Sequence, residues 1–177
     1  MLAAGTPQKA KLFIAILAPE GLFGDAEISL DAAFGPIDLK SHTLPFSFTD
    51  YYEAEMGANL YRRFVGHQRL IPPDALAEIK QRARGIEQQF LLSGERTRRR
   101  RINLDPGYLT AAKIVLASTK DYAHRIYLGQ GIFGDLHFRH ERGVYRPLPW
   151  TYPDYCTQEA LTFFDELRRL YLRQIAP

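Results

Sequence analysis

Three short segments concentrate the side chains that could do chemistry. Residues 49–55 (TDYYEAE) set Asp50, Glu53 and Glu55 beside Tyr51 and Tyr52. Carboxylates this close can share a divalent cation or divide into an acid and a base. The same residues also admit a purely structural use, in which Asp50 caps a helical turn and Glu53 closes a capping box three positions on. Residues 103–108 (NLDPGY) hold Asp-Pro-Gly, which is turn chemistry: proline presets its φ, glycine accepts a positive φ, and the aspartate bonds the backbone beyond. A turn accounts for Asp105, Pro106 and Gly107 but requires neither Asn103 nor Tyr108. Residues 118–125 (STKDYAHR) are the densest of the three. Lys120 and Arg125 can grip a phosphate or carboxylate, Arg125 through a bidentate fork, and His124 can exchange a proton near neutral pH. The plainer reading is a turn at Lys120-Asp121 leading into a strand, with His124 on its apolar face and Arg125 paired to Asp105 or Asp154.

Convergence of these segments would form a site. Asp50, Glu53, Asp105, Lys120 and His124 are then the candidate catalytic groups, and Tyr51, Tyr52, Asn103, Tyr108, Asp121 and Arg125 the candidate ligand-binding groups. The donors favour a small anionic ligand, such as a phosphorylated compound or nucleotide. No motif fixes a reaction or a cofactor, so an enzyme and a binding protein both fit. A rival reading uses Arg96, Arg98, Arg99, Arg100 and Arg101, five arginines in six positions, to bind RNA or a protein. Metal binding has little to build on. The five histidines include no His-x-x-x-His pair, and the single cysteine, Cys156, rules out a multi-cysteine zinc site and an internal disulfide.

Read together with residues 46–57 (FSFTDYYEAEMG), 119–129 (TKDYAHRIYLG) and 148–155 (LPWTYPDY), the chain resembles the bacterial and archaeal domain-of-unknown-function family 4416. The resemblance runs from about residue 11 to residue 171. It implies a single domain of this size and carries no activity. A guanine-reading motif would separate lysine from aspartate by one residue, whereas Lys120 and Asp121 are adjacent, and no phosphate loop occurs in the sequence.

The elements that must position these groups follow from composition and period. The 177 residues are 46% apolar with a net charge of +3, enough for one core and permissive toward an anionic partner. Residues 1–10 read as a loose tail and 11–177 as one domain. No apolar run approaches the roughly 20 residues of a membrane span, so a cytoplasmic location is expected. The run at residues 11–18 (KLFIAILA) predicts a strand covered on both faces. A short helix capped by Asp25 should end at Gly35-Pro36. Residues 37–48, broken by Pro45, predict an edge strand or two short pieces, and residues 59–70 another strand. The apolar stripe Leu76, Ile79, Ala83, Ile86 and Phe90 predicts a helix after Pro73, with Glu78, Lys80, Arg82, Arg84 and Glu87 toward solvent. Four further strands with turn-length connectors predict a meander. In one of them Asp135, His137 and Arg139 share a wet face. Residues 150–155 read as an aromatic lid, and 157–175 as a second amphipathic helix. The sum is a single α+β domain, a mostly antiparallel sheet packed by two amphipathic helices.

Overall fold

The unbroken apolar stretch from Leu12 to Ala18 can only sit where both faces are covered. In the computed structural model, which describes residues 5–91 and 99–176, it lies in strand β1 (Ala10–Pro19), buried from Ala10 to Ala18. Strand β1 pairs antiparallel with β4 (Leu60–Ile71) on one side and β5 (Asn103–Leu109) on the other. Outside β4 lie the short strands β2 (Ile37–Lys40) and β3 (Leu44–Pro45), the two pieces left by the break near Pro45. Outside β5 come β6 (Lys113–Ser118) and β8 (Ile132–Glu141), and β8 in turn pairs with β7 (Arg125–Gly129) and β9 (Val144–Pro147). The nine strands form one antiparallel sheet in a single α+β domain.

Alternate residues of β1 feed two cores. Leu12, Ile14 and Ile16 pack with helices α1 (Phe23–Phe34) and α3 (Leu76–Gln89) through Leu30, Ile79 and Ala83. Phe13 and Ala15 face the other way, onto Phe164, Leu167 and Tyr171 of helix α4 (Gln158–Gln174). Helix α4 lies so close to the sheet that a Cβ on Gly66 would collide with Leu167. Its start is capped by Thr157, whose side chain accepts from the Ala160 amide. Helix α1 begins at Phe23 without a side-chain cap, so Asp25 does not cap it, and it ends at Gly35 with φ +90° as the Gly-Pro pair implies. Helix α2 (Glu53–Met56) is a single turn.

Four further departures from the sequence expectations shape the site. First, Asp-Pro-Gly is not a turn. Residues 103–109 form β5, an interior strand, because β1 supplies a full ladder along it from Asn103 to Leu109. The ladder to β6 covers only Gly107 to Leu109. Pro106 has no N–H with which to extend it, and the stretch from Asn103 to Pro106 has no ladder to β6. Second, β8 lies between β6 and β7, so strand order departs from chain order. Tight hairpins join β7 to β8, where Gly129, Gln130 and Gly131 all take positive φ, and β8 to β9 through Arg142-Gly143, while residues 119–124 cross between non-neighbouring strands. Third, Lys80 and Glu87 of α3 are buried against β5 instead of solvated. Fourth, Asp135 and His137 are fully buried, because residues 148–156 fold over that face and pin themselves through Trp150 Nε1 to the Leu136 carbonyl at 2.8 Å.

Candidate functional site

The gap between β5 and β6 is the mouth of a cavity of about 160 Å³. Asn103 and Asp105 of β5 form one wall and Leu116 to Lys120, at the end of β6 and beyond, the opposite one. Lys80, Arg84 and Glu87 of α3 close it below, and Tyr51, Tyr52 and Tyr152 stand at the rim. Lys80, Arg84 and Glu87 are spaced four and three apart, which puts them on one helical stripe beside the apolar one.

A chain of ion pairs runs through the cavity wall. Lys80 Nζ donates to Asp105 Oδ1 at 3.0 Å and to the Leu104 carbonyl at 2.7 Å. Asn103 Nδ2 donates to Asp105 Oδ2 at 2.6 Å, and Asn103 Oδ1 accepts from Arg100 at 3.0 Å. Arg100 then grips both oxygens of Glu55 at 2.7 Å, a bidentate fork, and lies 3.6 Å from Glu87. Glu87 also accepts the Leu104 amide at 2.7 Å. Behind this wall Arg62 donates to Asp154 at 2.8 Å, and its Nη1 lies 3.9 Å from Asp105 Oδ2. A second cluster centres on Asp135, which accepts from Arg125 Nε at 2.8 Å and from His137 Nδ1 at 3.2 Å. Arg125 spends its other nitrogens on Ser118 Oγ, the Lys120 carbonyl and the Tyr152 hydroxyl.

These contacts set the charge states. Burial alone would raise the Asp105 carboxyl, but Lys80 and Arg62 more than offset it and hold it below the usual aspartate range. Asp135 is held low in the same way, burial being outweighed by His137 and Arg125. Arg100 keeps Glu55 low. For Glu87 burial wins over Lys80 and Arg100, and its carboxyl is pushed up. Burial also raises the phenols of Tyr52 and Tyr152, so both are neutral hydrogen-bond donors at pH 7. The ionised acids are thus bound to cations of the protein itself. Lys120 differs. Its ammonium sits 4.4 Å from the centroid of the Tyr51 ring and has no carboxylate partner among the described residues.

Of the residues singled out from sequence, Tyr51, Tyr52, Asn103, Asp105 and Lys120 meet at this cavity. Asp50 and Glu53 do not. They line a separate hollow with Pro45 and Asn59, and they form no capping box, because Thr49 Oγ1 takes the Tyr51 amide and the short helix α2 has no side-chain cap. His124 stacks on Trp150, ring centroids 4.6 Å apart, with Nε2 3.5 Å from Asp135, and it is not part of the cavity wall. Arg125 stands behind the wall, paired with Asp135 and not with Asp105 or Asp154. Tyr108 packs into the core beneath α3, and Asp121 is exposed outside the cavity. Of the arginine run, Arg96 and Arg98 lie outside the described residues, and Arg100 is turned inward onto Glu55, Glu87 and Asn103.

Lys80, Arg84, Glu87, Asp135 and Tyr152 complete the wall and were not singled out from sequence. The helical stripe of Lys80, Arg84 and Glu87 was a usable signal. Asp135 carried none, since its alternation with Leu136 resembles any half-wet strand. Among the described residues no three His, Cys, Asp or Glu side chains cluster as metal ligands. No helix among the described residues is long and apolar enough to cross a membrane.

A family model described as "Domain of unknown function (DUF4416)" matches residues 8–171. No curated protein and no solved structure matches the chain. With that match spanning nearly all 177 residues, the chain belongs to the DUF4416 family.

Proposed function

We propose that the protein binds a small anionic molecule in the cavity between β5, β6 and α3, with Lys120 as the principal charged contact. The observation that carries this reading is the contrast between Lys120 and its neighbours. Lys80 and Arg100 are each neutralised by acids of the protein, whereas the Lys120 ammonium lines the cavity beside the Tyr51 ring with no carboxylate partner among the described residues, and Arg84 of the same wall, bonded to Gln81, adds a second cation. The carboxylates in the wall are held by Lys80, Arg62, Arg125 and His137, so they do not repel an incoming anion as free acids would. The hydroxyls of Ser118 and Thr119 and the neutral phenols of Tyr52 and Tyr152 supply further donors. This favours binding over proton transfer, because the acids that line the wall are already engaged. The cytoplasmic setting expected from the sequence belongs to the same proposal and fits a chain whose one cysteine is a free thiol.

The test is a thermal-shift screen with phosphates, sugar phosphates, nucleotides and dicarboxylates against the wild type and Lys120→Ala. A charge-assisted contact is worth about 1.5–3 kcal/mol, so the variant should bind any hit roughly 10–100-fold more weakly with its own stability little changed. Equal responses from the two proteins would overturn the assignment.

A further inference from the structure

The neighbouring cavity, about 330 Å³, shares four wall residues with the first: Tyr51, Tyr52, Lys120 and Tyr152. Its remaining wall sets Phe46, Phe48 and Pro153 beside Thr49, Arg62 and Asp154, so that with the shared tyrosines five aromatic rings line it. Together the two reach the size of ordinary small-molecule sites, roughly 300–1,000 Å³.

Three observations bear on what would fill this second space. The rings there are unusually exposed for their size, Phe48 at 45% and Tyr51 at 62%. Exposed apolar area of this kind gains from being covered. The rings also meet edge to face: Phe46 with Phe48 at 61°, Phe46 with Tyr52 at 72°, and Tyr51 with Tyr52 at 89°. Rings set at such angles form corners, in which a flat guest can stack on one face and touch the edge of the next. Finally, Arg62 lines this cavity with its side chain 4% exposed, and its Nη1, 3.9 Å from Asp105 Oδ2, has no hydrogen-bond partner among the described residues. Arg62, held by Asp154 and Asp105 and with that nitrogen buried, therefore lends this wall its positive charge and no free donor.

We infer that the two cavities form one bipartite site for a molecule that joins a flat aromatic ring to an oxyanion. The ring lies among Phe48, Tyr51 and Tyr152, and the oxyanion meets Lys120. This rests on the anion reading above and narrows it to a ligand class.

Titration calorimetry at low salt with inorganic phosphate, phenyl phosphate and phenol separates the two ideas. Phe48→Ser is the diagnostic variant, because Phe48 lines only the aromatic cavity and is exposed enough to replace without loss of the fold. Stacking of one ring, about 1–3 kcal/mol, predicts that phenyl phosphate binds roughly 5- to 150-fold more tightly than phosphate. In Phe48→Ser that advantage should shrink several-fold while phosphate affinity stays as in the wild type. Equal affinities for phenyl phosphate and phosphate would overturn the bipartite site and leave the anion reading standing. Binding of phenol as tight as that of phenyl phosphate would overturn the oxyanion contact. Absence of binding by all three would overturn both.

Discussion

Replacing Asp105 by asparagine should destabilise the protein at neutral pH by about 2–3 kcal/mol, and the penalty should vanish in acid. Two cations lean on this one carboxylate, Lys80 at 3.0 Å and Arg62 at 3.9 Å. With an effective dielectric of about 20, unit charges at such distances attract by about 4–6 kcal/mol before desolvation. Breaking a buried pair typically costs about 3–5 kcal/mol. Asp105 keeps 20% of its side-chain exposure, and Arg62 retains Asp154, so the low end applies. Lys80 and Asn103 donate to different oxygens of Asp105, and asparagine would turn one of those acceptors into a donor NH2, so one of the two bonds is lost. The sign with pH follows from the lowered carboxyl. The stabilisation is fully present above the unfolded aspartate value of about 3.9 and is lost as pH falls through the lower folded value. Urea unfolding of both proteins at pH 7 and near pH 3 measures the gap. A difference below about 1 kcal/mol at pH 7, or one that persists undiminished at pH 3, would refute the reasoning.

Other consequences are equally concrete. Glu87→Gln should be neutral or stabilising at pH 7, because the advantage of the raised carboxyl is fully present below the unfolded value of about 4.3 and is lost as pH rises through the higher folded value. Stability curves of the two proteins from pH 4 to 8 should therefore diverge upward in favour of the variant. Gly107→Ala would set a Cβ 2.5 Å from the Phe13 ring and 2.7 Å from the Val115 carbonyl, and the overpacking should cost about 1–3 kcal/mol in thermal unfolding. Leu167→Ala empties the centre of the α4 face and should cost about 2–5 kcal/mol by urea titration.

How far the sequence carried this account depends on whether local chemistry or tertiary context decided each element. The buried run of β1, the apolar stripe of α3 and the Gly35-Pro36 stop are set by the residues themselves, and each was legible. Asp-Pro-Gly was misleading because its turn preference is local. A complete ladder along β1 outweighs it, and what survives of the proline's character is the early end of pairing with β6. That opened gap, absent from any motif, makes the site. Charged residues beside an apolar stripe are usually solvated, and the sequence does not reveal that the Asp105 carboxylate and the Leu104 carbonyl and amide on β5, with Arg100, give Lys80 and Glu87 partners in a buried setting. The three polar segments converge in part, contributing Tyr51, Tyr52, Asn103, Asp105, Ser118, Thr119 and Lys120. The carboxylates Asp50 and Glu53, whose proximity in sequence looked most chemical, turn toward another hollow.

A phosphate titration followed by backbone amide chemical shifts, residue by residue, tests the central idea most directly. Saturable shifts should concentrate at Ser118, Thr119, Lys120, Tyr51 and Tyr52, and they should disappear in Lys120→Ala. Shifts that fail to saturate, or that gather at Asp50 and Glu53 or along Arg99 to Arg101 instead, would contradict it.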